Sequence, residues 1–148
     1  MKTIMKSLKL IFSVMIIVYL GMLLSCGGGE PGQSAQDKTT NLLIAHAWKI
    51  KTVTINDTDQ SSVFANLSIT FTKTAYSSVN GKAEWPASGT WSFDGSSATD
   101  IVRNDGLTMT IESLSDTSLV ISFLWDTTTF GGGRVQGVSG QTVFTFGN

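Results

Sequence analysis

From Trp48 to the C-terminus, apolar side chains recur at every second position, the spacing of strands that bury one face. Trp48 and Ile50 share one parity and Val53 and Ile55 the other, which predicts a bulge or bend near Lys51 and Thr52. Leu67, Ile69 and Phe71 then alternate with Ser68, Thr70 and Thr72. Trp91 with Phe93, Leu107 with Met109 and Ile111, and Leu119 with Ile121, Phe123 and Trp125 repeat the pattern. Val120 and Leu124 make the other face of that last stretch partly apolar, so it is expected to be covered on both sides. Turn residues separate the runs: Asn56 to Gln60, the hairpin dipeptide Asn80-Gly81, Asp94-Gly95, and Asn104-Asp105-Gly106. A loose loop over Thr127 to Gly140 precedes a closing strand over Gln141 to Phe146. About eight short strands with turns every 8 to 12 residues predict an all-β fold of antiparallel topology. Sequential hairpins favour an up-and-down barrel, whose closure removes exposed sheet edges.

Ahead of the strands the pattern changes twice. Asn41 to Ala47 reads as a short helix capped by Thr40 or Asn41, a lid for something apolar. Residues 26 to 40 are small, polar and aperiodic, and predict an extended, flexible tether. Lys2, Lys6 and Lys9 precede an apolar run from Leu10 to Leu24, the charged and hydrophobic regions of a secretory signal. That run has about fifteen residues, short of the roughly twenty that cross a bilayer. Leu23-Leu24-Ser25-Cys26 resembles the bacterial lipobox, whose cysteine is lipidated and becomes the first residue after cleavage. The resemblance implies a signal peptide over 1–25 and a membrane partner held through Cys26; with the tether over 26–40, the barrel domain spans 41–148. A plain signal or an uncleaved anchor is the alternative. Two or more acyl chains would hold the chain firmly, since each buried methylene contributes about 0.8 kcal/mol.

Composition narrows the function. Without residues 1–25 the chain has 7 Lys or Arg against 11 Asp or Glu, so 7 − 11 = −4. No basic surface remains to neutralise phosphates, which disfavours nucleic acid as a partner. Cys26 is the only cysteine, so the domain has no internal disulfide and depends on packing.

Residues 41 to 147, with a short apolar helix, a tryptophan heading the first strand and an up-and-down run of strands, resemble the lipocalin-like domain. The resemblance rests on Trp48-Lys49-Ile50, Leu67 to Phe71, Trp85 to Phe93, Ile101 to Gly106, and Gly137-Val138-Ser139-Gly140. It is narrower still to the small lipocalin-like lipoproteins of Gram-negative bacteria, which implies a cell-envelope location, an outer-membrane lipoprotein facing the periplasm or the surface. Two positions depart from the family pattern. His46 stands where a glycine precedes the first-strand tryptophan, and the arginine that closes over that tryptophan has no clear counterpart, Arg134 lying in a glycine-rich loop.

Catalytic chemistry is sparse. One histidine, His46, and one cysteine do not furnish an ordinary zinc site, so no metal or other cofactor is expected. The aspartates Asp57, Asp59, Asp94, Asp105, Asp116 and Asp126 fall in or beside turns, and the Asp57–Asp59 stretch lacks an EF-hand ligand run. Gly131-Gly132-Gly133-Arg134 lacks the ending of a phosphate loop, and Gly137 to Gly140 lacks the spacing of a nucleophile elbow. No enzyme is expected. The interior is the main candidate site, with Trp48, Phe71, Trp91, Met109, Phe123 and Phe144 as ligand-binding candidates. An eight-stranded barrel is just wide enough to be filled by side chains or to hold one small ligand, and both outcomes stay open. One reading is therefore a barrel that binds a small apolar ligand. The other is a solid barrel that meets an envelope protein or glycan, with Trp85, beside Pro86 and in a loop, as its exposed anchor.

Overall fold

The computed structural model describes residues 32–126 and 140–148. Cys26, the signal segment and the loop from Thr127 to Ser139 lie outside the described residues. Residues 33–148 belong to one compact unit.

The helix, α1, runs over Ala35–Ile44 rather than Asn41 to Ala47, and six residues read as extended tether are helical. The cause is a capping box. Ser34 Oγ accepts from the Asp37 N–H at 3.0 Å, and the Asp37 carboxylate accepts from the Ser34 N–H at 3.3 Å. At the other end the Trp48 indole donates to the Leu43 carbonyl at 2.8 Å, satisfying an acceptor that the last helical turn leaves free. Leu43 is fully buried and Ile44 packs on the core. Replacing Ser34 by alanine removes about 1 kcal/mol of helix stability. Amide exchange within α1 then quickens about fivefold while the strand amides keep their protection; unchanged α1 exchange would contradict the cap.

The strands are β1 (Ala47–Ile55), β2 (Thr58–Asp59), β3 (Ser68–Phe71), β4 (Ala75–Val79), β5 (Ser88–Phe93), β6 (Asp100–Arg103), β7 (Thr108–Leu114), β8 (Ser118–Trp125) and β9 (Gly140–Gly147). Each pairs antiparallel with its neighbour, and β1 pairs with both β3 and β9, which closes a barrel of eight strands. The β1–β9 register slips between Ile50 and Thr52, at the change of parity seen in the sequence. β2 is a small flap folded back on the end of β1. Asn56 and Asp57 turn it with φ of 48° and 63°, the paired left-handed conformation of a tight hairpin.

The registers put α1 and the 72–74, 94–99 and 115–117 turns at one end of the barrel. The β1–β2 turn, residues 60–67, residues 80–87 and the 104–106 turn crowd the other end. Asn80-Gly81 does not close a two-residue hairpin, because eight residues, 80–87, separate β4 from β5. Asn80 and Lys82 hold φ of 60° and 59°, and the loop doubles back with Trp85 N–H donating to the Gly81 carbonyl at 2.9 Å. Ser78 Oγ donates to the carbonyls of Trp85 and Pro86 at 2.7 and 2.9 Å. With its backbone satisfied in this way, the loop turns Trp85 inward. Leu124 is 61% exposed, so the outer face of β8 is open there rather than covered.

Candidate functional site

All six residues read as lining a pocket lie together inside the barrel. Trp48, Phe71, Trp91, Met109, Phe123 and Phe144 are each no more than 4% exposed. They pack on one another: Phe123 stacks on Phe144 with centroids 5.6 Å apart, and Phe71 meets Trp91 edge-on at 6.0 Å. A void wide enough for water would leave accessible area on the side chains lining it. Around Trp48, Ile69, Leu119, Ile121 and Phe144 there is none, and Phe71, Trp91, Met109 and Phe123 keep 1 to 4%.

Trp85 is the largest correction. It is not an exposed anchor but a fully buried plug. Its indole meets Phe71, Tyr76, Phe123, Phe144 and Phe146 edge-on, with centroids 5.7 to 6.4 Å away. Phe64, from the loop after β2, enters the same end and meets Phe144 at 5.0 Å. The sequence concealed this because a loop tryptophan beside proline looks the same whether its loop points out or in. Gly81 is the sign that it points in. A Cβ there would sit 2.0 Å from the Trp85 carbonyl oxygen, so only glycine permits the fold-back. The Trp85 Nε1–H has no acceptor among the described residues.

Arg103 was missed altogether. It shares the inward parity of Ile101 on β6, and its side chain is fully buried. Its guanidinium binds both carboxylate oxygens of Asp105, Nε at 3.1 Å from Oδ1 and Nη2 on Oδ2, and Nη1 donates to the Glu84 carbonyl. It also lies 5.8 Å over Trp85 and 5.9 Å over Tyr76. The cation thus ties the 104–106 turn to the plug loop. An arginine does close over a tryptophan here, but over Trp85 rather than Trp48. The signal was present in Arg103-Asn104-Asp105-Gly106, where the turn returns a carboxylate two residues after the arginine.

This pairing moves two protonation equilibria. The hydrogen bond from Arg103 holds Asp105 below the usual carboxylate value of 3.8, against a smaller opposing effect of burial. Burial raises Tyr76 above 10.0; the Arg103 charge opposes this and the Asp105 charge adds to it. The two signs follow by linkage. Asp105 stabilises the fold at pH above 3.8, and the contribution disappears as pH falls through its depressed value. Tyr76 contributes fully below pH 10.0, and that contribution is lost as pH rises through its raised value. Tyr76→Phe is therefore expected to flatten the alkaline limb of the stability profile without moving the acid limb. An alkaline limb unchanged in the variant would contradict the assignment.

Outside the barrel, a groove of about 490 Å³ lies against α1. Gln33, Gln36, Asp37, Thr40 and Asn41 form its helical wall, and Lys73 of the β3–β4 turn and Phe93 of β5 form the other. Gln36 fixes that wall by donating from Nε2 to the carbonyls of Gly95 and Ser97 at 2.9 and 2.7 Å. Among the described residues no three metal-ligating side chains converge, and no helix is long and apolar enough to cross a membrane. Asp59 serves its own turn, accepting from the Ser61 N–H and hydroxyl. His46 is half-buried, with its ring edge-on to Trp48 at 5.8 Å.

A closed antiparallel barrel of eight strands, with a short helix ahead of it and a tryptophan heading the first strand, is a lipocalin-like architecture. Residues 44–121 match the lipocalin-like domain family, and the chain belongs to it. Its members are in general binding proteins rather than enzymes. The comparison with curated proteins returns no match.

Proposed function

We propose that this chain is a cell-envelope lipoprotein, tethered through an acylated Cys26, whose lipocalin-like barrel is a self-filled scaffold that binds with its outer surface. The observation that carries the scaffold reading is the burial of Trp85. Its indole occupies the space at the loop end where a calyx-type barrel would take a guest, and five aromatic rings enclose it. An eight-stranded barrel is just wide enough to be filled by side chains or to hold one small ligand, and the indole takes that place. The lipobox-like Leu23-Leu24-Ser25-Cys26 supports the tether. The acidic balance of the remaining chain fits attachment by acyl chains rather than by charge.

Both parts have direct tests. Metabolic labelling with an alkyne-tagged palmitate is expected to mark the chain and to fail in Cys26→Ser; equal labelling of the two would remove the anchor. Titrating the barrel domain with a fluorescent long-chain fatty-acid analogue is expected to give no saturable signal. Stoichiometric binding would instead support a second reading, favoured by the unpartnered Trp85 N–H: an apolar ligand with a hydrogen-bond acceptor displaces the plug. Leaving such a donor unpaired costs about 1–3 kcal/mol. An incoming acceptor would recover part of that cost.

A further inference from the structure

We propose that the groove beside α1 is a binding site for a neutral saccharide. The inference rests on the scaffold reading, since it gives the outer surface the binding role. Gln33, Gln36, Asp37, Thr40 and Asn41 recur at the i, i+3, i+4, i+7, i+8 spacing, so a single polar stripe of the helix and its N-terminal flank faces the groove. Among the described residues, the side chains of Gln33, Thr40, Asn41 and Lys73 make no hydrogen bond or ion pair. Gln36 spends its amide N–H groups on the β5–β6 turn and keeps its carbonyl oxygen. Asp37 spends Oδ2 on Ser34 and keeps Oδ1. The wall therefore offers both donors, from Gln33, Thr40, Asn41 and Lys73, and acceptors, from Gln36 and Asp37, as a ligand with neighbouring hydroxyls requires.

Charge and shape point the same way. Lys73 and Asp37 carry opposite charges, so the lining has no net charge. Phe93 supplies an apolar surface, half-buried and held edge-on to Trp91 at 5.3 Å, against which the C–H face of a sugar ring can lie. A volume of about 490 Å³ lies within the usual range for small-molecule sites. The capping box and the Gln36 bonds fix the wall beforehand, so little ordering entropy is lost on binding. Gln33 follows Cys26 by seven residues, which span at most about 25 Å, so a tethered chain would keep the groove near the glycans of the envelope.

The test uses the full chain in a detergent without a sugar head group, titrated with maltose, cellobiose and chitobiose and followed by amide chemical shifts. At least one sugar is expected to give saturable shifts confined to α1, Lys73 and Phe93. Asn41→Ala and Phe93→Ala each weaken that binding about tenfold, and Asn41→Ala leaves the melting temperature unchanged. Because Phe93 also touches the core, Lys73→Ala replaces it if that variant does not fold. No saturable shift with any of the three sugars overturns the proposal, as does binding that both variants leave intact. An apolar guest found inside the barrel would overturn the scaffold reading instead. A bare barrel that binds none of the sugars overturns only the groove.

Discussion

Trp85→Ala is expected to lower the stability of the barrel by about 3–5 kcal/mol, the loss typical of a fully buried aromatic side chain replaced by alanine. For a domain of this size that corresponds to a fall in melting temperature of roughly 12–20 °C. The loss has two sources. The apolar area of the indole leaves the core, and five edge-on ring contacts disappear with it. Relief of the unpaired Nε1–H offsets a fraction. The space vacated has the shape of an indole and apolar walls, so free indole should raise the melting temperature of the variant and leave the natural chain unmoved. A loss under about 1 kcal/mol, with no response to indole, would mean that the loop is not a structural plug. Gly81→Ala is a check from the backbone side, because its methyl would strike the Trp85 carbonyl and unseat the same indole without removing it.

Asp105→Ala is expected to cost about 2–4 kcal/mol, most of it from the guanidinium left buried without its counter-charge. The Asp105 side chain is 45% exposed while that of Arg103 is fully buried. Water can replace part of the carboxylate but cannot reach the cation without opening the 80–87 loop, so the effect lies toward the lower end. The informative comparison is the double variant Arg103→Met/Asp105→Ala. Removing the charge together with its partner, while keeping a long apolar side chain over Trp85 and Tyr76, should recover much of the loss. Urea denaturation of Asp105→Ala, Arg103→Met and the double variant measures this. A double variant as unstable as the sum of the single ones would show that the pair does not act as a unit.

The barrel was legible because its information is periodic and local. Alternation in Leu67 to Phe71 and Leu119 to Trp125 fixes which face is buried, and the parity change between Ile50 and Val53 marks the bulge. The start of α1 was missed because Ser34-Ala35-Gln36-Asp37 caps with an aspartate inside a stretch whose composition reads as linker. A polar helix looks like a tether until the turn that Gln36 binds is known, and that turn is about sixty residues away in the chain.

The candidate site was harder to read, for a related reason. Period two assigns Trp48, Phe71, Trp91, Met109, Phe123 and Phe144 to the interior, but whether they line a space or fill it depends on what enters from the loops. Phe64 and Trp85 enter, and neither lies on a strand. Arg103 was overlooked because an arginine on an inward strand position contradicts the hydrophobic pattern unless its partner is seen. Asp105 and the Glu84 carbonyl supply that partner across a turn and a loop. Alternation therefore placed the walls of this barrel, while tertiary contacts of irregular segments determined its contents.

A barrel that fills itself has no room for a guest. Native mass spectrometry of residues 30–148, before and after incubation with a mixed lipid extract, reads this out. The mass of the polypeptide alone is expected in both spectra. A stoichiometric apolar adduct that survives in the natural chain would contradict it and would make Trp85 a gate rather than a filling.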